Sequence, residues 1–463
     1  MAEKLIISIS GLRGIIGANL TPSTAADYGC AFGTFLKEEH FESRVTSHES
    51  RLSVCIGRDS RASGQMLKSA AAAGLCAVGI DVADLGLVTT PSVAVMVTEL
   101  RCNGAVIITA SHNPIQYNGI KLLLGNGIAP EAGASEQIKQ YFLDRHFTFV
   151  DSAGCGKIIC SEQTDANHIK KVLAIVDKGA IARRKFKVVL DSVNGAGGRV
   201  TKKMLAELGC EVSAINDEPT GLFAHSPEPT VENVTELCEV AKADKADVGF
   251  AQDPDADRLA IVDETGKYIG EEYTLALAAK YVFSKKTGKA ATNLSTSRML
   301  DDIAAKAGGQ VIRTAVGEAN VADTMLEHNC IIGGEGNGGV IDLRVSPVRD
   351  SLVGIALVLQ LMAETGKTIT QLVDEIGSFY MSKEKFAVDQ TQAQQILNLA
   401  KETFTDAKLD TTDGCRFDFE DGWLHLRPSN TEPVMRIIVE AKDRQSAQKY
   451  IDVVTNIRKK IVC

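Results

Sequence analysis

Short apolar runs alternate with longer amphipathic stretches along most of this chain. Residues 5–9 read as a strand, and Thr21-Pro22 then opens a helix, with an N-cap followed by proline at the first helical position. That helix is expected to run to about Glu38. A strand over 52–56, an Ala-rich helix over 64–78, a short strand around Val82 and a helix after Pro91 lead to the buried strand 104–108. The same alternation restarts with strand 186–191, a helix from the glycine loop at 194–198 to Leu208, strand 210–215, a helix from about Glu232 and strand 247–251. It restarts again with helices over 273–284, 299–307 and 319–328 and strands over 290–294, 310–313 and 330–332. Strands alternating with helices predict mostly parallel, mixed sheets covered on both faces. The last stretch differs. Consecutive strands over 416–419, 423–426 and 434–440, flanked by helices over 393–404 and 444–461, predict a smaller antiparallel α+β domain.

The fold class expected is therefore α/β: three similar α/β domains with mixed, mostly parallel sheets, plus the C-terminal α+β domain. Boundaries are expected near 1–150, 151–268, 269–372 and 373–463. The length of 463 residues demands several cores. Hydrophobic residues make up 44% of the chain, and no apolar run reaches the ~18 residues that span a bilayer. No stretch at the start resembles a signal peptide. Eleven scattered cysteines without a CxxC pair fit reduced thiols and a cytoplasmic location. A net charge of −9 argues against nucleic acid and makes any anion site a local basic pocket.

Four stretches carry candidate chemistry. Thr109-Ala110-Ser111-His112-Asn113-Pro114 presents a serine on a loop at the carboxyl end of a strand, where open α/β sheets place their sites. Its hydroxyl is a candidate nucleophile or phosphate carrier. Asn118-Gly119 reads as a turn, with Lys121 on a segment returning towards the serine. Lys121 is a candidate phosphate contact or, with a lowered pKa, a proton-transfer group. Gln252-Asp253-Pro254-Asp255-Ala256-Asp257-Arg258 places three carboxylates at i, i+2 and i+4. At ~4 Å each bare pair would repel by several kcal/mol at an effective dielectric near 20. A hard divalent cation removes that cost, and oxygen donors favour Mg²⁺ or Ca²⁺. An EF-hand is excluded, because Arg258 stands where that loop needs glycine and strands flank it. Gly333-Gly334-Glu335-Gly336-Asn337-Gly338-Gly339 allows close backbone approach and leaves Glu335 and Asn337 to hydrogen-bond a diol. Arg427-Pro428-Ser429-Asn430-Thr431-Glu432-Pro433, with Arg436 beyond, reads as an anion cradle. Arg13, between Gly11 and Gly14 on what reads as a loop, is a further anion candidate. The loop Asn194-Gly195-Ala196-Gly197-Gly198 lacks dinucleotide spacing and a P-loop lysine, and is read as packing.

In this order the four stretches resemble the α-D-phosphohexomutase superfamily over essentially the whole chain. The resemblance implies four domains around a central cleft and a phosphoserine enzyme. It implies Ser111 as phosphoryl carrier, with Arg13, His112, Lys121 and Arg258 as the other catalytic residues. It implies one Mg²⁺ held by Ser111, Asp253, Asp255 and Asp257. Gly317, Glu335, Asn337, Arg427, Ser429, Asn430, Thr431 and Arg436 would bind a hexose phosphate, with Arg427, Ser429, Asn430 and Thr431 around its distal phosphate. The implied reaction interconverts hexose 6-phosphate and hexose 1-phosphate through a 1,6-bisphosphate, which also serves as activator. The sugar and phosphate loops look most like the phosphoglucosamine mutase branch. Alternatives are glucose or mannose phosphates by the same steps, or a metal-dependent phosphatase. Two departures stand in the sugar loop. Many members have Ser where Asn337 stands and His where Gly339 stands, so the group that replaces that His is open. No membrane partner is expected, and the oligomeric state is open.

Overall fold

Three of the four sheets repeat one arrangement of strands. The computed structural model describes residues 5–8, 11–42, 51–429 and 433–462. The first sheet runs Ile6–Ser8, Gly11–Ile15, Tyr117–Leu124, Gly104–Ile108, Ser53–Arg58, Asp81–Leu87, Ile158–Cys160. The second runs Leu259–Val262, Val248–Gln252, Lys187–Asp191, Glu211–Ile215. Read from the same side, the third runs Gly339–Ile341, Ile332–Glu335, Lys289–Asn293, Gln310–Thr314. Each holds a parallel trio whose outer strand turns back into an antiparallel partner. Gly104–Ile108, Val248–Gln252 and Ile332–Glu335 thus occupy equivalent places. The serine, carboxylate and glycine loops leave their carboxyl ends, so one topological position is used three times.

The fourth sheet is wholly antiparallel: Tyr380–Ala387, Val434–Ala441, Gly422–Pro428, Cys415–Asp418, Lys408–Asp410. The helices Gln390–Thr403 and Arg444–Val462 pack on it through Ile396, Ala400, Ile451 and Val454. The expected fold class is found.

Several local expectations need correction. Gly11–Ile15 is a strand, not a loop, so Arg13 projects from a sheet. Asn118-Gly119 is not a turn but lies inside the strand Tyr117–Leu124. Glycine is needed there because an added Cβ would sit 2.7 Å from the Thr109 carbonyl oxygen and 2.8 Å from that of Leu12. The strand Tyr380–Ala387 and the helices Thr164–Leu173, Lys178–Arg184 and Ile369–Ile376 were not anticipated. The strand has an exposed, charged pattern and is held by pairing with Val434–Ala441 rather than by burial.

The second and third units share one core, through Phe250, Leu259, Leu275 and the helix Ser351–Thr365. Among the described residues no single helix is long and apolar enough to cross a membrane. The first unit joins them through a buried polar chain. Ser92 Oγ lies 2.8 Å from His168 Nδ1, and His168 Nε2 lies 2.7 Å from Asp350 Oδ2. All three are fully buried, so this serine–histidine–aspartate set has no access to a substrate and acts as an interdomain tie. Ten free thiols and no disulfide occur among the described residues.

The helices Pro22–Glu42 and Gly64–Ala77 cross at glycines. A Cβ on Gly74 would lie 2.1 Å from the Ala26 carbonyl oxygen, and one on Gly29 would lie 2.4 Å from that of Ala71. Gly74→Ala is therefore expected to lower the urea midpoint, although alanine is worth ~1 kcal/mol over glycine in a helix. The overpacking cost of about 1–3 kcal/mol outweighs that gain. An unchanged or higher midpoint would contradict the close crossing.

Candidate active site

Ser111 has φ +48°, a left-handed conformation that a β-substituted residue adopts only when its surroundings enforce it. Thr109 Oγ1 accepts from Ser111 N at 2.9 Å and donates to Asp59 Oδ2 at 2.7 Å. Arg61, buried and paired with Asp59 at 2.6 Å, donates to the carbonyl oxygens of Ser111 (2.9 Å) and Asn113. Asp59 and Arg61 follow the strand Ser53–Arg58, the parallel neighbour of the serine strand, so both arrive at the same sheet edge. Neither was singled out from the sequence; the signal was their place at the end of a parallel strand.

The carboxylate loop meets this serine. Ser111 Oγ donates to Asp253 Oδ2 at 2.7 Å and lies 3.3 Å from His112 Nδ1. Asp253, Asp255 and Asp257 are fully buried, with ligand oxygens within 4.8 Å of one another. The partners are divided unequally. Asp253 Oδ1 accepts from the backbone amides of Asp257 and Arg258 at 3.1 Å. Asp255 Oδ2 accepts from Thr90 Oγ1 (2.6 Å) and Lys121 Nζ (2.8 Å). Asp257 Oδ2 accepts from Arg349 Nη2 (2.7 Å) and Lys121 Nζ (3.3 Å). Asp255 Oδ1 and Asp257 Oδ1 are buried with no hydrogen-bond partner among the described residues, Asp257 Oδ1 having Arg258 Nε at 4.0 Å. Orphaned carboxylate oxygens in a buried all-oxygen cluster fit a hard divalent cation. The glycine loop at 194–198 braces this site: a Cβ on Gly195 would lie 2.6 Å from Pro254 Cα, in keeping with the packing reading.

The electrostatics follow from burial and neighbours. Burial and the adjacent Asp257 and Asp255 charges push Asp253 well above the usual carboxylate range. Burial also opposes ionisation of Asp255, but the Lys121 ammonium outweighs it and the net shift is downward. Asp257 is likewise desolvated, yet Arg349, Lys121 and Arg258 carry it far below its ordinary value. Desolvation would lower Lys121, but Asp255 and Asp257 overcome it, and its pKa is raised. A lowered lysine pKa is therefore not what this site produces, and Lys121 stands as a fixed cation. His112 is pushed down to about 3 by burial and by Arg258, so its imidazole is neutral at neutral pH.

Arg13 Nη1 donates to Asn113 Oδ1 at 3.0 Å, which places the arginine at the serine loop. Arg258 Nη1 donates to Glu228 Oε1 at 3.2 Å, while its buried Nε has no hydrogen-bond partner among the described residues. Glu228 comes from an irregular segment that gave no signal in the sequence.

The glycine loop closes the next side. Its residue Gly338 accepts at its carbonyl oxygen from Leu259 N, just beyond the carboxylate loop, at 3.0 Å. Glu335 accepts from Asn293 Nδ2 (2.7 Å), Asn337 Nδ2 (3.4 Å) and Arg349 Nη1 (2.7 Å). Asn337 Oδ1 is a buried acceptor without a hydrogen-bond partner among the described residues.

The C-terminal loop is joined to the third unit through Asp413. Arg427 Nε lies 2.8 Å from Asp413 Oδ2, and the same oxygen accepts from Val316 N at 3.0 Å. The neighbouring residues Gly317 and Glu318 continue to Arg349, whose Nε is 3.7 Å from Glu318 Oε2. Thus 316–318 links the C-terminal loop to the carboxylate and glycine loops. Gly317 has φ +138°, outside the range of ordinary side chains. Arg436 pairs in register with Arg427 on one side and Lys385 on the other. Like charges in register across strands repel, and in this row Asp413 already offsets Arg427. Lys385 was not anticipated, since only the sheet register brings it there. Ser429 N donates to the Val434 carbonyl oxygen at 2.8 Å. Asn430 and Thr431 lie outside the described residues.

Comparison with known proteins identifies this arrangement. Four family models match, described as phosphoglucomutase/phosphomannomutase alpha/beta/alpha domain I (residues 5–148), domain II (166–266), domain III (270–379) and C-terminal domain (383–457). A protein of Thermococcus kodakarensis named "Phosphoglucomutase/phosphomannomutase" is 39% identical, with 96% of each chain covered. One of Methanopyrus kandleri named "Probable phosphoglucosamine mutase" is 34% identical, with 98% of this chain and 97% of that one covered. The crystal structure of a phosphoglucomutase/phosphomannomutase family protein from Burkholderia thailandensis superposes with a TM-score of 0.85 at 26% identity, covering 98% of both chains. Its four matched domains and these full-length relatives show that the chain belongs to the phosphoglucomutase/phosphomannomutase family of phosphohexomutases.

Proposed function

We propose that this phosphohexomutase moves a phosphoryl group between O6 and O1 of a hexose through Ser111, with glucosamine 6-phosphate as its preferred substrate. The observation that carries the mechanism is Ser111 Oγ, 2.7 Å from Asp253 within a buried cluster of three carboxylates. The amino-sugar preference rests on the sugar and phosphate loops and on the M. kandleri relative. Glucose and mannose phosphates by the same steps are the second reading, favoured by the T. kodakarensis relative.

In the first half-reaction the P–Oγ bond of phosphoserine 111 breaks as the free C1 hydroxyl oxygen of a hexose 6-phosphate bonds to phosphorus. In net terms the hydroxyl proton passes to the departing Ser111 Oγ, and the product is the 1,6-bisphosphate. In the second, Ser111 Oγ bonds to the 6-phosphorus of the reoriented bisphosphate as the P–O6 bond breaks, the serine proton passes to O6, and the hexose 1-phosphate departs. A free 1,6-bisphosphate would restore phosphoserine when it is lost. Lys121 and Arg258 supply positive charge at the transferring group, and such transfer depends on positioning and charge more than on covalent chemistry. Neutral His112 can carry a proton to or from Ser111 Oγ through Nδ1, 3.3 Å away. Arg427, Ser429, Asn430, Thr431 and Arg436 hold the phosphate that is not reacting, and Gly317 with Glu335 and Asn337 receives the ring. Mg²⁺ bound by Asp253, Asp255, Asp257 and the serine oxygen would neutralise phosphoryl charge.

Ser111→Ala is expected to lower mutase kcat by at least ~10⁴-fold. A variant within tenfold of wild type would remove the phosphoserine mechanism. Chelating divalent cations should stop turnover, and Mg²⁺ should restore it. Mg²⁺ at 100 times its Kd should also stabilise the fold by about 2.7 kcal/mol, read as a higher melting temperature. No thermal shift and no loss on chelation would refute the metal assignment. In a mutase assay primed with hexose 1,6-bisphosphate, kcat/KM for glucosamine 6-phosphate should exceed that for glucose and mannose phosphates by more than ~10-fold. The reverse order would select the second reading, and phosphate release without isomerisation would indicate a phosphatase.

A further inference from the structure

Arg349 lies in none of the four motifs, yet it is the side chain that joins two of them. It precedes Asp350, the N-cap of the helix Ser351–Thr365, and is only 8% exposed. Nη1 donates to Glu335 Oε2 at 2.7 Å and Nη2 to Asp257 Oδ2 at 2.7 Å. One rigid fork therefore ties the only carboxylate of the glycine loop to the last carboxylate of the aspartate loop. A lysine ammonium is a point donor and does not reproduce this bridge. Glu318 closes the other side, accepting from the Arg349 backbone amide at 2.5 Å.

The path of the side chain explains a glycine. A Cβ on Gly339 would lie 2.1 Å from Arg349 Cδ and 2.7 Å from Cγ. The backbone of Gly339 is not in the left-handed region, so conformation does not demand glycine there. Space does: Arg349 fills the volume that a side chain at 339 would occupy. Without the arginine, Glu335 Oε2 would keep only the 3.4 Å contact from Asn337.

We propose that Arg349 is a positioning residue for sugar recognition. It holds Glu335 aimed at the pyranose hydroxyls, and Gly339 is glycine so that Arg349 can lie across it. The proposal deepens the hexose-phosphate reading and rests on it. Because the two residues act through one contact, their effects are non-additive.

The test is calorimetric binding of glucose 1-phosphate and of inorganic phosphate to the Ser111→Ala enzyme with saturating Mg²⁺, where no transfer occurs. Arg349→Met and Gly339→Ala should each weaken glucose 1-phosphate at least tenfold and inorganic phosphate less than twofold. Arg349→Lys should fall between Arg349→Met and the parent, and the double variant should be no weaker than Arg349→Met. Gly339→Ala keeps every charge and carries the test if Arg349→Met does not fold. Unchanged sugar-phosphate binding, equal losses for the two ligands, or multiplying effects would overturn the proposal. A Ser111→Ala parent that binds no hexose phosphate would instead overturn the functional reading, and this proposal with it.

Discussion

Three carboxylates share a buried space less than 5 Å across, and the molecule is arranged around what that costs. Burial alone would discharge them, as it tends to do for Asp253. Asp255 and Asp257 stay ionised because Lys121 and Arg349 reach them from two other parts of the chain. Each of the two keeps one oxygen without a hydrogen bond among the described residues, Asp257 Oδ1 having only Arg258 Nε at 4.0 Å. Such oxygens fit a divalent ion, and the serine oxygen lies beside Asp253 in the same cluster.

The loop can hold this charge because its surroundings leave it no freedom. Thr90 donates to Asp255 from its hydroxyl and also bonds the Asp255 carbonyl oxygen through its backbone amide at 3.0 Å. Ser351 Oγ donates to the Ala256 carbonyl oxygen at 2.7 Å, and Gln252 Nε2 donates to Ser351 Oγ at 2.7 Å. Three domains thus contact one loop of six residues. The threefold use of one topological position makes this convergence possible, because each unit offers its functional loop at the same edge of its sheet. The C-terminal sheet adds Arg427, Arg436 and Lys385 in register, linked to the third unit through the Val316 amide on Asp413.

Two buried arginines carry structural consequences that charge counting does not show. Arg61 pins the carbonyls of a serine held in a left-handed conformation, and Arg349 aligns an acid with the aspartate loop. Both are forks whose geometry matters more than their charge. Both follow or precede regular elements without resembling a motif, which is why neither stood out as a site residue in the sequence.

Alternation of apolar and amphipathic runs determined the α/β units and the change of class at the C-terminal domain, because periodicity is a local property. The Asp253–Asp257 spacing determined an oxygen cluster, and the Ser111 loop determined a serine hydroxyl presented at a strand end, because these need only neighbours in the chain. Register is different. Arg427 opposite Arg436 and Lys385, and Gly119 between two strands, depend on which segments pair, and no local pattern encodes that. The exposed strand Tyr380–Ala387 shows the same limit, since its partner rather than its composition makes it a strand. Only the tertiary structure decided that Lys121 stays a cation, that Arg349 fills the space over Gly339, and that the Ser92–His168–Asp350 chain is a tie and not a site. Each of these depends on burial and on distances between residues far apart in sequence.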